Sequence, residues 1–122
     1  MAGAGKISTY KDLIAWQKAF QLGLNIYQIA GNLPDHERYG LISQLRRGAI
    51  SIASNIAEGY GRGSKTDYLR FLKIARGALY ELDTQLLFAD QLTYINKDAY
   101  KGVKEQLDES ERVLAGLIRS LS

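Results

Sequence analysis

The stretch that decides the fold is SQLRRGAISIASNIAEGYGR, residues 43–62. Its apolar residues, with the leucine just before it, recur at spacings of four, four, three and four. Such spacing places them on one side of a helix that faces a core. The stripe consists of Leu41, Leu45, Ala49, Ile52 and Ile56.

Beside this stripe runs a line of small and polar residues at helical spacing: Gly48, Ser51, Asn55 and Gly59. A glycine within a helix costs about 1 kcal/mol relative to alanine, so the line predicts close contact with a neighbouring helix. The sequence GYGRG, residues 59–63, predicts a helix end with a left-handed residue and a turn into the next helix. A phosphate-binding loop would need a preceding strand and a complete nucleotide-binding glycine motif, and the sequence has neither.

Three further amphipathic segments flank this helix. The third segment carries an unbroken seam, a line of apolar residues at alternating spacings of four and three positions. It consists of Tyr68, Leu72, Ala75, Leu79, Leu82, Leu86 and Ala89. The last segment carries a similar seam, in which Ser110 fills one apolar position. We therefore predict an all-α fold, an antiparallel up-down-up-down four-helix bundle, after a flexible tail at 1–9. The predicted helices span about 10–30, 37–60, 64–93 and 97–121.

Polar residues mark where these helices begin. Asp12 falls in the first turn of the first helix, where a carboxylate complements unpaired N–H groups. Ser64 is placed to cap the third helix, with Asp67 three residues on. Either Asn96 or Asp98 caps the fourth.

The first helix has two apolar faces where a monomeric bundle needs one. Leu13, Trp16, Phe20 and Tyr27 form one, and Leu22, Ile26, Ile29 and Leu33 form the other. Two faces predict that part of this helix meets a second subunit. The alternatives are a single broad stripe, or a stripe covered by the N-terminal tail.

Composition limits the chemistry. A chain of 122 residues fits one domain, and with no cysteine it has neither disulfides nor thiolate chemistry. The one histidine, His36, lies in a loop and is expected to be solvated. We expect no cofactor, no metal and no catalytic residue, and no segment long and apolar enough to span a membrane. The start MAGAG is too short and polar for a signal peptide, so a cytoplasmic protein is expected.

Two carboxylates lie among apolar neighbours on the facing second and third helices. If the turn is centred near Gly63, facing residue numbers sum to about 128, which predicts the buried ion pairs Arg47–Glu81 and Glu58–Arg70. Asn55 is expected to satisfy a polar group across the same contact. A catalytic or di-iron carboxylate pair would need Glu-x-x-His motifs, which the sequence lacks.

Positive charge is concentrated in the middle of the chain. Residues 38–76 hold eight basic and two acidic residues, whereas 77–122 hold five basic and eight acidic. The two central helices are therefore a candidate surface for polyanions, although such a face can also be merely solvated. The candidate nucleic-acid-binding residues are Arg38, Arg62, Lys65, Arg70 and Lys73, with Tyr60 and Tyr68 near enough to stack on bases.

The most specific segments are SNIAEGYGR, residues 54–62, and ARGALYELDTQL, residues 75–86. Through them, and over nearly its whole length, the chain resembles the four-helix-bundle proteins encoded by intervening sequences of bacterial 23S ribosomal RNA genes. It more distantly resembles the accessory variability protein of diversity-generating retroelements. Family members often have proline where this chain has Ala53. The resemblance implies a homopentamer with no known enzymatic activity and a suspected nucleic-acid role.

Three functions are compatible with the sequence. The first is a non-enzymatic oligomer that binds RNA or DNA through phosphate contacts. The second is an interaction scaffold that presents a groove or a basic surface to a protein partner. The third, a small hydrolase or metalloenzyme, has little support, because the chain has no nucleophile with an adjacent base, no ligand cluster and no cofactor loop.

Overall fold

The computed structural model describes residues 6–122, and these form four long helices and two short 3-10 turns. The N-terminal 3-10 turn is Tyr10–Asp12, and a second 3-10 turn, Asp35–Glu37, precedes the second long helix. The long helices are α1, Ile14–Ala30; α2, Leu41–Gly61; α3, Lys65–Gln91; and α4, Lys97–Leu121. Residues 6–122 contain no strand, which agrees with the predicted all-α class.

The four helices form an antiparallel bundle in which each contacts its two neighbours. Residue contacts join α1 with α2, α2 with α3, α3 with α4, and α4 back to α1. Helices of 17 to 27 residues are about 25–40 Å long. Later residues of α1 meet earlier residues of α2, since Gly23 lies beside Ala49 and the Tyr27 carbonyl oxygen accepts from Arg46, so these two helices are antiparallel. The predicted up-down-up-down bundle is therefore confirmed. None of the helices within residues 6–122 has an apolar stretch that could cross a bilayer.

The predicted seams fill the core. On α2, Leu45, Ala49, Ile52 and Ile56 are buried, while Leu41 is only half-buried. Every predicted seam residue of α3 after Tyr68 is buried, from Leu72 to Ala89. On α4 the predicted seam residues Val103, Leu107, Ser110 and Leu114 are buried. Its other members, Tyr100, Leu117 and Leu121, are half-buried, and Ile118 is buried instead.

The glycines of α2 permit close contact with α3, as their spacing predicts. A Cβ placed on Gly59 would lie 2.7 Å from the Cβ of Phe71, and one on Gly48 would lie 3.1 Å from Leu82 Cδ1. α1 approaches α2 closely as well, since a Cβ on Gly23 would overlap the carbonyl oxygen of Ala49. The contacts at Gly23 and Gly59 leave no room for a larger side chain, whereas at Gly48 the end of the Leu82 side chain would have to shift.

Helix ends follow the predicted capping chemistry. Ser64 Oγ accepts the N–H of Asp67 at 3.1 Å, and Asn96 Oδ1 accepts that of Ala99 at 2.7 Å. The turn after α2 contains Gly63 with φ +83°, the left-handed residue expected within GYGRG. The predicted first turn of the first helix, Tyr10–Asp12, is a separate 3-10 turn. The extended residue Leu13 separates it from α1, which begins at Ile14.

Part of the predicted tail is ordered by hydrogen bonds. Asp12 Oδ2 accepts the backbone N–H groups of Ser8 at 2.8 Å and Thr9 at 3.0 Å, and both bonds lower the pKa of Asp12. Thr9 Oγ1 in turn accepts the N–H of Lys11. The remainder of the predicted flexible tail, residues 1–5, lies outside the described residues.

The predicted buried ion pairs do not form among residues 6–122. The register is close to the predicted one, since Gln85 Nε2 donates to Gln44 Oε1 at 3.1 Å. However, Arg47, Glu58 and Glu81 are exposed. Exposed carboxylates need no partner across the bundle, so both pairings were wrong.

Asn55 also differs from its prediction. Its Nδ2 donates to the carbonyl oxygen of Ser51 at 2.8 Å and to Ser51 Oγ at 3.0 Å. Both acceptors belong to α2 itself, one turn earlier. The amide is therefore satisfied within its own helix, and the expected bond across the helix contact is absent from the described structure.

Candidate functional site

Four of the five predicted basic residues lie at one corner of the bundle, and the fifth does not. Arg62 follows the end of α2, and the other three occupy the first turns of α3: Lys65, Arg70 and Lys73. We call these four residues the basic corner. Arg38 precedes α2 and is separated from Arg62 by that whole helix, a distance of about 30 Å. The predicted surface is therefore divided between the two ends of the bundle.

The two arginines of the basic corner are held in place by the same aromatic ring. The Cζ atoms of Arg62 and Arg70 lie 4.9 and 4.5 Å from the centre of the Phe71 ring. Arg62 Nε donates to Glu58 Oε2 at 2.9 Å, and Arg70 Nη2 lies 3.5 Å from Asp67 Oδ1. Both ion pairs are half-exposed, and each joins two residues that are only three or four positions apart along the chain.

The two lysines of the basic corner remain available. Lys65 and Lys73 are exposed, and neither forms an ion pair within residues 6–122. Between residues 58 and 76 the chain holds five basic and two acidic residues. The corner therefore has an excess of positive charge even after its arginines are paired.

The tyrosines expected to stack on bases are used within the fold. Tyr60 and Tyr68 are half-buried and pack edge to face, with ring centroids 6.0 Å apart. The Tyr68 hydroxyl is buried and finds no hydrogen-bond partner in the part of the chain that the structure describes, and burial raises the pKa of Tyr68. Phe71, which organises both arginines, was not identified from the sequence. Its position four residues after Asp67 and beside Arg70 was the only signal.

The predicted face of α1 that holds Trp16, Phe20 and Tyr27 borders an exposed apolar groove on α2. The groove encloses about 540 Å³. Trp16 stacks on Phe20 with centroids 4.9 Å apart, and Tyr10 packs against the edge of Trp16. The α2 wall is made of small residues and one large one, Ile50, which is 57% exposed. We call this feature the apolar groove; it is lined by Tyr10, Trp16, Phe20, Gly23, Leu24, Tyr27, Ala49, Ile50, Ala53, Ser54 and Ala57.

Two of the residues that form the apolar groove were missed by the sequence analysis. Ile50 lies off the core stripe of α2, and an isolated apolar residue there gives a weak signal. Gly23 lets α1 approach α2, but within α1 it has no glycine partner at helical spacing. Only the juxtaposition of the two helices shows what these residues do.

A second exposed apolar surface lies on α3. Phe88 is 60% exposed, and Leu92, one turn later, is 49% exposed. Ile74 is also exposed, but it lies about 21 Å before Phe88 along α3, with the exposed Glu81 between them on the same side. We call Phe88 and Leu92 the apolar ridge. It is on a different side of the bundle from the apolar groove.

The lone histidine takes part in a small polar cluster at the other end of the bundle. His36 Nε2 lies 3.3 Å from the Tyr94 hydroxyl, which donates to Glu37 Oε2 at 3.1 Å. Glu37 Oε1 accepts the Leu41 N–H, and this bond, followed by the one from Tyr94, lowers the pKa of Glu37. The cluster joins the second 3-10 turn to the loop before α4. Residues 6–122 contain no group of acidic or histidine side chains arranged to hold a metal ion.

The fold and surface define a small all-α bundle with a basic corner and two exposed apolar surfaces. The chain belongs to the 23S rRNA-intervening sequence protein family, whose model matches residues 11–116. It is also similar in fold to a crystal structure of a protein with unknown function from the S23 ribosomal protein family of Bacteroides thetaiotaomicron VPI-5482. That similarity has a TM-score of 0.80 and 21% identity, and it covers 87% of this chain and 96% of the other. No curated protein matches the sequence.

Proposed function

We propose that this protein is a non-enzymatic, cytoplasmic homo-oligomer that binds nucleic acid, ribosomal RNA or a related molecule, through the basic corner. The observation that carries the proposal is the grouping of Arg62, Lys65, Arg70 and Lys73 around the α2–α3 turn, where neither lysine forms an ion pair with another described residue. Membership of a family named for 23S rRNA intervening sequences supports ribosomal RNA as the first ligand to test.

The geometry of the corner suits contacts with phosphates. Phe71 holds the guanidinium groups of Arg62 and Arg70 against its ring, which limits the side-chain entropy that binding would remove. Their ion pairs with Glu58 and Asp67 are half-exposed, and such pairs contribute about 0–1 kcal/mol. A phosphate can therefore replace the carboxylates at small cost.

The decisive measurement is the salt dependence of binding to 23S rRNA fragments. If two to four phosphates are contacted per subunit, log affinity should fall with log salt with a slope of roughly −0.7 to −0.9 for each contact. Reversing two charges, Lys65→Glu with Lys73→Glu, should lower affinity and reduce the slope by roughly two contacts. The folded mass should stay the same.

A control variant can match the change in net charge. Arg38→Glu with Lys101→Glu removes the same charge at residues distant from the basic corner. We expect this control to keep most of the affinity. Equal losses in the two double variants would show that only net charge matters, and absence of binding at low salt would refute the proposal.

Self-association is the second part of the proposal, and the exposed apolar surfaces support it. The apolar groove and the apolar ridge lie on different sides of the same bundle, so a groove that accepts the ridge of a neighbouring copy makes a head-to-tail contact. Head-to-tail contacts close into rings when the rotation between subunits allows it. The homopentamer implied by the family resemblance is one such ring.

Light scattering on two variants can test this arrangement. Ile50→Glu places a charge in the apolar groove, and Phe88→Glu places one on the apolar ridge, both at sites exposed in the monomer. Each variant alone should lose the oligomeric mass. When mixed, they should form a one-to-one dimer, because one intact groove can still meet one intact ridge. Failure of the mixture to associate would rule out the head-to-tail contact.

A protein-interaction scaffold is the second candidate, and the apolar groove favours it specifically. Such a groove of about 540 Å³ between two helices can also accept a helix from another protein. In that case the purified protein should be a monomer whose apolar groove is covered only by the partner. Recovery of one defined protein after nuclease treatment, lost in Ile50→Glu and kept in Phe88→Glu, would favour the scaffold.

A further inference from the structure

A second cavity, unrelated to the basic corner, lies where the end of α1 meets the start of α4. It is open to solvent on one side and has a volume of about 560 Å³, and carboxamides form much of its lining, with Asn25 and Gln28 on α1, Asn32 just after α1 and Gln106 on α4. Asn25 Nδ2 donates to Gln106 Oε1 at 2.7 Å, and this bond fixes one end of the cavity. We call it the amide cavity.

The amide cavity carries one charge, and that charge is negative. Asp98 lines it, and no lysine, arginine or histidine does. Asp98 forms no ion pair within residues 6–122, because its neighbour Lys97 reaches the buried carboxylate of Asp90 instead, with Nζ 3.0 Å from Oδ1. The site therefore offers an exposed carboxylate, without an ion pair among the described residues, on the same lining as four carboxamide side chains, and these groups can accept N–H donors from a cation.

The shape of the amide cavity depends on a missing side chain. Gly102 lines it between Asp98 and Gln106, and a Cβ added there would meet no atom within 4 Å. The remaining lining includes Ile29 and Val103, which are half-buried and buried. From Asp98 to Gln106, α4 rises about 12 Å, which leaves space for a chain of several methylene groups along this apolar floor.

We propose that the amide cavity binds an aliphatic polyamine. One ammonium group pairs with Asp98 and donates to the surrounding amide oxygens, while the methylene groups lie over Ile29 and Val103. An inorganic cation would leave the apolar floor unused, and an anion would be repelled by Asp98. The site lies between α1 and α4, whereas the basic corner lies between α2 and α3. This proposal therefore does not rest on nucleic-acid binding.

Calorimetry with spermidine at low salt, on the full chain, tests the proposal. We expect saturable binding, with NMR shifts in the side-chain amides of Asn25, Gln28, Asn32 and Gln106. Asp98→Asn should weaken binding by about tenfold or more, since it removes the charge and keeps the shape. Gly102→Leu should abolish binding by filling the amide cavity, and as an exposed helical position it should fold normally.

Two matched controls keep the test specific. Glu105→Gln removes one charge from an exposed position of α4 outside the amide cavity, and Gly77→Leu makes the same glycine replacement at another open helical position. Both should bind spermidine as the original chain does. An uncharged diol should not bind. The proposal would be overturned by no saturation at about 10 mM spermidine, or by equal weakening in Glu105→Gln and Asp98→Asn.

Discussion

The α1–α2 edge and the α3–α4 edge of this bundle differ in the side chains that form them, which are apolar on the first edge and charged on the second. On the α3–α4 edge, Lys104 lies between two carboxylates, with Nζ 3.0 Å from Asp83 and 3.1 Å from Asp108. On the α1–α2 edge, Trp16, Phe20 and Ile50 line an apolar groove that no acidic residue enters. The ionic edge is satisfied within the chain and suited to water, whereas the apolar edge has surface that a partner would cover.

The largest expected effect comes from the inner side of the apolar edge. Gly23→Ala places a Cβ against the Ala49 carbonyl oxygen, so α1 and α2 must separate. We expect a loss of about 1–3 kcal/mol in the free energy of unfolding, measured by urea denaturation. Gly77→Ala is the matched control at an open position, and it should stabilise the protein by about 0.5–1 kcal/mol. Equal stability of the two variants would contradict the close contact.

The outer sides of the two edges are compared by one substitution on each. Leu24 on the apolar edge and Tyr80 on the ionic edge are similarly exposed, at 43% and 50%. Leu24→Gln should weaken self-association by roughly 1–2 kcal/mol per subunit, about tenfold in the dissociation constant, because it removes apolar contact area. Tyr80→Gln should leave the mass unchanged, since Tyr80 faces Glu111 of the same chain, which raises the pKa of Tyr80. Sedimentation over a dilution series measures the mass of both variants. Equal changes in the dissociation constant would mean that the two edges do not differ in their contribution to assembly.

The ionic edge itself should contribute little to stability. Lys104→Met removes pairs that are about one-third exposed, so the loss should stay below about 1 kcal/mol and decrease with added salt. Burial lowers the pKa of Lys104, but its bonds with Asp83 and Asp108 outweigh burial and raise that pKa overall. The contribution is therefore complete below the unfolded-state pKa of this lysine and is lost as the pH rises through the folded-state value. Thermal unfolding at neutral and alkaline pH checks this, and a Lys104→Met penalty that grows with pH would contradict it.

The smallest expected effect lies in the loop that connects the two helices of the ionic edge. Thr93 has φ +59°, a left-handed conformation that is unfavourable for a β-branched residue. Thr93→Gly should relieve this strain, but it also gives the unfolded chain more conformational freedom. The free energy of unfolding should therefore rise by at most about 1 kcal/mol. A clear loss of thermal stability would show that the bond from Thr93 Oγ1 to the Leu92 carbonyl oxygen outweighs the strain.

The basic corner illustrates how far residue types alone can predict a site. The excess of positive charge in the middle of the chain correctly singled out residues that are exposed, because no apolar stripe includes them. It could not show that Arg38 lies at the far end of the bundle, or that Phe71 organises Arg62 and Arg70. Distance along a helix and contact across a turn depend on where each helix begins and ends.

The sequence by itself determined the four helices, most of their core seams, the caps of α3 and α4, and the antiparallel order of the bundle. Each depends on local spacing: apolar residues every three or four positions, a serine or asparagine before a helix, and glycines where a turn must be left-handed. Only the tertiary structure decided which surfaces remain uncovered. No spacing within one helix encodes these surfaces, because each depends on how two helices lie against each other. Examples are the exposure of Ile50, the lack of an ion pair at Asp98 within residues 6–122, and the open space at Gly102.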